Sequence, residues 1–451
     1  MKKPTAMLLF VLAWFAMPAG VVRAEPVAPW VVEQILIEGN TRTDRDVVLR
    51  IAGVSEGDTL DPADAGIPAA RLESSALFHE TAVRFRKGTA RGFVVMEVTL
   101  VERGVGFQIG AGVQDLGGWY LLPAEINLDN RLGRGEKLRI RLRVGYRYGG
   151  AELVFREAIG EEASWDWGVT LSGIVTDRVF YDRGVSFTHG VRRATYEMQV
   201  GRALSDRWRI EAGAGLQEVD ADSSAEARED ALLEGWEAGD PLVFDSLPEG
   251  IARGVGREAR GVFRVDLVLD GRSPSGLAGT PGNGVWGRVR AEAWAGERRS
   301  YAALSGDLRL YRHLVSSLMG GLHLRGGWIG DEAPFYDRYY TGGLYSARGF
   351  EGQSLSPSGG DTKFWTASLE VRAPLIGNGR SPRLSGIAFL DVADGWTMDA
   401  PRLGDAHVSA GYGIRVRVPW IDIVGLDVGI PLTRNRADES FRAHASLGWT
   451  F

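Results

Sequence analysis

The residues able to do chemistry are arranged against catalysis. Six histidines are scattered over 451 residues. None stands in the His-Glu-x-x-His spacing that puts two imidazoles and a base on one helix face. No Gly-x-Ser-x-Gly turn is present to present a hydrolase nucleophile. His313 and His444 fall at inward positions of strand-like segments, with no nucleophile motif beside them. They read as solvated polar residues. Gly213 and Gly215, like Gly411 and Gly413, lie two apart inside strands and relieve side-chain crowding rather than cradle a phosphate. Asp220–Asp240 holds eight acids and one Arg. Without EF-hand spacing it reads as a solvated external loop, a cation site being the alternative. The most charged pattern is Lys137–Arg147, where Lys137, Arg139, Arg141, Arg143 and Arg147 alternate with Leu138, Ile140, Leu142, Val144 and Tyr146. Period two places these sets on opposite faces of a strand. These readings predict no enzyme, no cofactor and no metal site.

The elements that hold such a strand are legible in the composition. The net charge is −6, which argues against nucleic acid as a partner. Gly reaches 61, Trp 14, and Cys is absent. At 44% hydrophobic residues the chain conceals no helical membrane bundle. Lys2 and Lys3, an apolar run from Ala6 to Met17, and Val22-Arg23-Ala24 form the layout of a secretory signal peptide, predicting residues 1–24 as a leader. An exported chain without disulfides relies on a large core or a closed sheet.

From residue 103 to 451 the sequence alternates apolar and polar in short segments. Such segments, weak singly and strong in sum, predict an antiparallel transmembrane β-barrel. Sixteen strands are expected, at 105–114, 119–129, 137–147, 150–158, 165–176, 195–204, 208–220, 259–270, 284–296, 300–314, 317–330, 363–375, 384–396, 406–419, 421–432 and 441–451. Trp119, Trp165, Trp208, Trp396 and Trp449 lie near strand ends, as an aromatic girdle does. A soluble β-sandwich does not explain four inward arginines on one strand. The last segment places Phe441, Ala443, Ala445, Leu447, Trp449 and Phe451 on one face.

Residues 25–102 read as a separate α+β unit with the order β-α-α-β-β. Val31–Gly39 alternates as a strand, Thr43 is a candidate helix cap, and Asp61-Pro62 opens a second helix carrying Leu72, Leu77 and Phe78 inward. Thr81–Lys87 and Gly92–Val101 complete a three-stranded sheet.

Ile35–Arg50 (ILIEGNTRTDRDVVLR), followed by Ser75–Phe78 and two strands, resembles a POTRA domain. In the barrel region, Asn127–Leu138, Leu269–Gly284, Ser368–Leu375 and Gly386–Trp396 resemble segments of the BamA/TamA family of outer-membrane assembly and translocation proteins. The most specific element is Thr341–Gly352 (TGGLYSARGFEG), similar to that family's Arg-Gly-aromatic loop, with Ala347 in place of the usual Val or Leu. The turn at Leu269–Gly284 carries an insertion, and the chain leaves room for one POTRA unit and no plug helix.

The resemblance implies a Gram-negative outer-membrane barrel with its POTRA unit in the periplasm. Loop 331–362 is expected to fold into the barrel, with Arg348 meeting Asp391 and Glu370, both inward by strand parity. Gly349 would permit close backbone approach and Phe350 would fill the adjacent wall. The strand edge bearing Val83, Arg84, Phe85 and Arg86 would capture an extended client by β-augmentation, the alternative being an edge kept soluble by its arginines. Gly106, Gly110 and Gly112 on the first strand, with Gly448, Trp449 and Phe451 on the last, would form a lateral seam and a C-terminal assembly signal. Implied partners are unfolded outer-membrane or secreted proteins, a docking periplasmic partner and outer-membrane lipid. A passive outer-membrane channel or a surface adhesin is the alternative function.

Overall fold

The computed structural model describes residues 28–75, 77–114, 118–159, 164–182, 185–228, 241–243, 246–273, 282–315, 317–379, 381–397, 406–418, 422–433 and 440–447. The leader, Gly448, Trp449 and Phe451 lie outside them. The chain divides into two compact units, residues 1–103 and 104–451.

The first unit contains β1 (Trp30–Glu38), α1 (Arg45–Ala52), β2 (Thr59–Leu60), α2 (Ile67–Ser74), β3 (Phe78–Lys87) and β4 (Phe93–Glu102). Its sheet has four strands in the order β2-β1-β4-β3, one more than the sequence indicated, because the two-residue β2 joins the edge of β1. Strand β1 runs parallel to β4, and β3 antiparallel to it. Val32, Ile35, Val48, Leu72, Met96 and Val98 close the core between sheet and helices. Helix α1 ends at Gly53, whose left-handed φ of 67° suits a residue without Cβ.

Two local readings need correction. Asp61 caps only a 3-10 turn at Pro62–Asp64, and α2 starts later, at Ile67. Asp44, not Thr43, stands at the cap of α1. Thr43 turns instead to Glu102, which accepts from the Thr43 amide at 2.7 Å, the Arg42 amide at 2.9 Å and the Thr41 hydroxyl at 2.6 Å. Burial of Glu102 would raise its pKa, but these hydrogen bonds outweigh burial and hold it down at about 2. A carboxylate this well solvated by amides and hydroxyls pins the chain entering α1 to the end of β4.

The second unit is a closed antiparallel sheet of eighteen strands. They are β5 (Gly106–Gln114), β6 (Gly118–Asn127), β7 (Lys137–Gly145), β8 (Tyr148–Ile159), β9 (Trp165–Asp182), β10 (Val185–Ala203), β11 (Trp208–Ala221), β12 (Ser224–Ala227), β13 (Pro241–Val243), β14 (Gly256–Asp270), β15 (Gly284–Gly296), β16 (Ser300–Val315), β17 (Leu318–Ile329), β18 (Lys363–Asn378), β19 (Ser381–Trp396), β20 (His407–Val418), β21 (Asp422–Pro431) and β22 (Arg442–Leu447). The order closes with β22 beside β5. The surplus over sixteen is the short pair β12 and β13, since β11 pairs directly with β14 along fourteen residues. Residues such as Phe107, Ile109, Leu142 and Tyr146 are exposed on the outer face, as alternation requires.

Strands β9 and β10 are longer than the alternation suggested. Their extra residues belong to a cap, where Phe180, Phe187, Val191, Val219 and Ala225 pack with Ile251 of the short helix α3 (Glu249–Ala252). Phe335 and Tyr336 of loop 331–362 join this cluster. Apolar residues there face inward, so the outward-apolar pattern stops while the ladder continues.

Candidate functional site

Loop 331–362 connects β17 to β18 and keeps its own shape. The Tyr339 amide donates to the Asp361 carbonyl at 2.9 Å, and the Asp361 amide returns the bond at 2.8 Å. The Thr341 amide donates to Ser356 Oγ at 2.8 Å. Two anchors then fix the loop to the inner wall.

At the first anchor, Asp337 accepts from Arg193 of β10 at 2.8 Å and pairs with Arg260 of β14 at 2.7 Å. Tyr301 of β16 also donates to it. At the second, Arg348 is 1% exposed. Its Nε and Nη2 donate to the two oxygens of Asp391 on β19, at 2.7 and 2.8 Å. Nη1 donates to Glu370 of β18 at 2.6 Å and reaches Asp427 of β21 at 3.3 Å. Nη2 also donates to Ser368 Oγ at 3.0 Å, and the guanidinium carbon lies 3.5 Å from the centroid of the Phe389 ring. A planar five-donor fork satisfies this surround; an ammonium does not.

The charges balance through two further arginines. Arg372 donates to the other oxygen of Glu370 at 2.8 Å, and Arg415 donates to both oxygens of Asp427 at 2.5 and 3.0 Å. Three guanidinium groups thus meet three carboxylates, all essentially buried. Burial makes each carboxylate dependent on its partner, because an unpaired charge there has no water to turn to.

Gly349 has φ +93°, and a Cβ on it would stand 2.8 Å from the Gly429 carbonyl carbon. A Cβ on Gly429 would in turn meet the Gly349 nitrogen at 2.3 Å. Two backbones therefore touch where neither tolerates a side chain. The Gly349 amide donates to His444 Nε2 on β22 at 2.9 Å. Phe350 is buried against Ala347 and Ala393, its ring 5.5 Å from that of His407.

The structure therefore gathers Arg348, Gly349, Phe350, Asp391 and Glu370 at one place. Sequence reasoning omitted Asp427, Arg372, Arg415, Gly429 and the Asp337 anchor, and it read His444 as solvated, whereas His444 is buried and bonded to the loop. A signal existed for Asp427, the only acid after Asp422 within an otherwise apolar strand. The edge residues take their places on β3, an outer strand of the first unit's sheet. Val83 and Phe85 pack against its core, while Arg84 and Arg86 are exposed, Arg86 pairing with Glu97 at 2.7 Å. Gly106, Gly110 and Gly112 lie on β5. A Cβ at Gly106 would come within 3.3 Å of Asn127 Cβ.

Residues 130–451 match the Omp85 superfamily domain. The chain belongs to the Omp85 superfamily. This accords with the BamA/TamA resemblance carried by the Thr341–Gly352 segment. Over 484 aligned positions it is 25% identical to the outer membrane protein assembly factor BamA of Neisseria meningitidis serogroup B. The match covers 96% of this chain and 58% of that relative, so this Omp85 chain spans little more than half its relative's length. Among solved structures, BamA of Haemophilus ducreyi lacking POTRA domains 1–3 superposes with a TM-score of 0.62 at 16% identity, covering 92% of this chain and 85% of that one. CdiB of Acinetobacter baumannii gives a TM-score of 0.58 at 14% identity, covering 92% and 73%. CdiB of Escherichia coli also gives 0.58, at 13%, covering 92% and 75%. At these identities the structures speak for the fold alone.

Proposed function

We propose that this Omp85 protein resides in the outer membrane of a Gram-negative bacterium and assists the insertion, assembly or translocation of other proteins. The long strands, sixteen once β12 and β13 are set aside, are read as the membrane wall, and the first unit as one periplasmic POTRA domain. The observation that carries the reading is the loop lock: Arg348 ties an inner loop to β18, β19 and β21, and Gly349 ties it to β22, the strand that closes the barrel. A barrel that only conducts solute needs no plug braced against its closing strand.

On the other side of the closure, β5 pairs irregularly with β6: the register slips between Ile109 and Ala111, and β6 slips again against β7 between Leu121 and Glu125. Both slips bracket Pro123, which has no N–H to give to the ladder. A client strand entering there would supply hydrogen bonds that cannot stay unmade in lipid. The edge strand β3 would present the extended client, and the chain itself would perform no covalent chemistry.

Depleting the protein and comparing the outer-membrane proteome tests the reading. Loss of a set of barrel or secreted proteins is expected. An unchanged proteome would favour the passive channel or adhesin.

A further inference from the structure

A cavity of about 550 Å3 lies inside the barrel between strands β8 to β10, β17 and loop 331–362. Its volume falls within the roughly 300–1,000 Å3 range of small-molecule sites. Four arginines line it, and one, Arg193, is committed to Asp337. Arg178 of β9 lies 4.6 Å above the Tyr340 ring and has no carboxylate at ion-pair distance among the described residues. Arg325 of β17 reaches the Tyr345 carbonyl at 3.4 Å, lies 5.7 Å from the Phe364 ring centroid, and is likewise without a carboxylate at ion-pair distance among the described residues. Asp177, the one acid of the lining, is exposed and belongs to the outward parity of β9. Two guanidinium groups held in a cavity without acidic partners attract an oxyanion.

The remaining lining asks for more than an anion. Tyr340 and Tyr345 bring aromatic faces, the Tyr340 hydroxyl being spent on the carbonyls of Phe335 and Ser358. Gln353 lines the same space with a left-handed φ of 60°, rare for a residue with a side chain, and its Oε1 is buried without a hydrogen-bond donor among the described residues. Backbone strain of this kind gathers at ligand clamps. A bare oxyanion would leave the Gln353 acceptor unmet, whereas a hydroxyl-bearing ring would supply a donor and a C–H face for the tyrosines.

We propose that this cavity binds an anionic saccharide, a sugar ring carrying an oxyanion such as phosphate. The oxyanion lies between Arg178 and Arg325, a ring hydroxyl donates to Gln353, and the ring rests on the tyrosines. Because Tyr340, Tyr345 and Gln353 belong to the inner loop, an occupied cavity braces that loop against β9.

Titration of the full-length protein in detergent, followed by intrinsic fluorescence, tests this with glucose 6-phosphate, glucose and inorganic phosphate as probes. Glucose 6-phosphate is expected to bind saturably, inorganic phosphate more weakly and glucose least. Arg178→Gln and Arg325→Gln, on separate strands, should each weaken glucose 6-phosphate roughly 10- to 100-fold, the worth of one charged hydrogen bond. Gln353→Ala should weaken it less, and Arg141→Gln, outside the cavity, should not alter it. In phosphatidylcholine vesicles, competition when a phosphorylated glycolipid is added would assign the ligand to a lipid headgroup; its absence would assign a free sugar phosphate. Equal binding of inorganic phosphate, equal displacement by a glutamate-rich peptide, or binding indifferent to both arginine variants would overturn the proposal, as would no binding at all. The wild-type comparison of glucose 6-phosphate with phosphate stands even if a variant fails to fold.

Discussion

The strands on the two sides of the barrel's closure are held by the same side-chain pairs in opposite environments. On the late side, β18, β19 and β21 converge on Arg348, whose partners Glu370, Asp391 and Asp427 are at most 2% exposed. On the early side, β6 to β8 are laced by Arg139 and Arg141 to Glu125 at 2.9 and 2.8 Å, and by Arg141 to Glu152 at 2.6 Å. The arginines there remain about a third exposed, at 36% and 38% for Arg139 and Arg141. Screened pairs contribute little, while buried ones become indispensable to each other. The early side also carries the Pro123 irregularity; the late side keeps an unbroken register from β20 to β22. One edge of the closure is thus clamped and the other is soft, so any opening should proceed by movement of β5 and β6.

Breaking the clamp should have the largest effect. Arg348→Ala leaves Asp391 buried without a cation and should destabilise the loop by about 3–5 kcal/mol. Proteolysis within 331–362 and the unfolding midpoint in detergent would both report it. Arg348→Lys should recover only part, because an ammonium cannot serve both oxygens of Asp391 and Glu370 together. Gly349→Ala should cost about 1–3 kcal/mol, through its left-handed backbone and the collision with Gly429. The same protease assay should show the loop displaced while the strands persist.

These residues also mark how far the sequence reaches. Strand parity put Asp391 and Glu370 on the inward face, and the family resemblance of the Arg348 loop supplied their pairing with Arg348. Neither could show that Asp427 and His444, two and three strands beyond Asp391, close around the same loop, since alternation fixes a face and not a neighbour across the lumen. His444 looked like a solvated residue because nothing in β22 announces that a backbone amide will fill the space before it. The cap over the barrel was illegible for a related reason: beyond the outward-apolar band, β9 and β10 keep their ladder and change only which face is apolar. The start of the leading unit's α1 was legible from the acids at Asp44 and Asp46, but Thr43 was claimed by Glu102, a residue 59 positions away.

Subtler measurements sharpen the contrast. Amide exchange should be faster in β5 and β6 than in β20 and β21; equal protection would remove the asymmetry. At the small end, Arg141→Gln should lower stability by roughly 0.2–1 kcal/mol, an effect that shrinks with added salt. A loss as large as that of Arg348→Ala would mean that the early strands are clamped as firmly as the late ones.

The most direct test is to lock the closure. The chain contains no cysteine, so pairs with one Cys in 105–109 and one in 442–447 can be introduced without background. Cells in which such a pair oxidises fully are expected to lose the client proteins from the outer membrane, and a reductant is expected to restore them. Full oxidation with client levels unchanged would contradict lateral opening as the way this protein works.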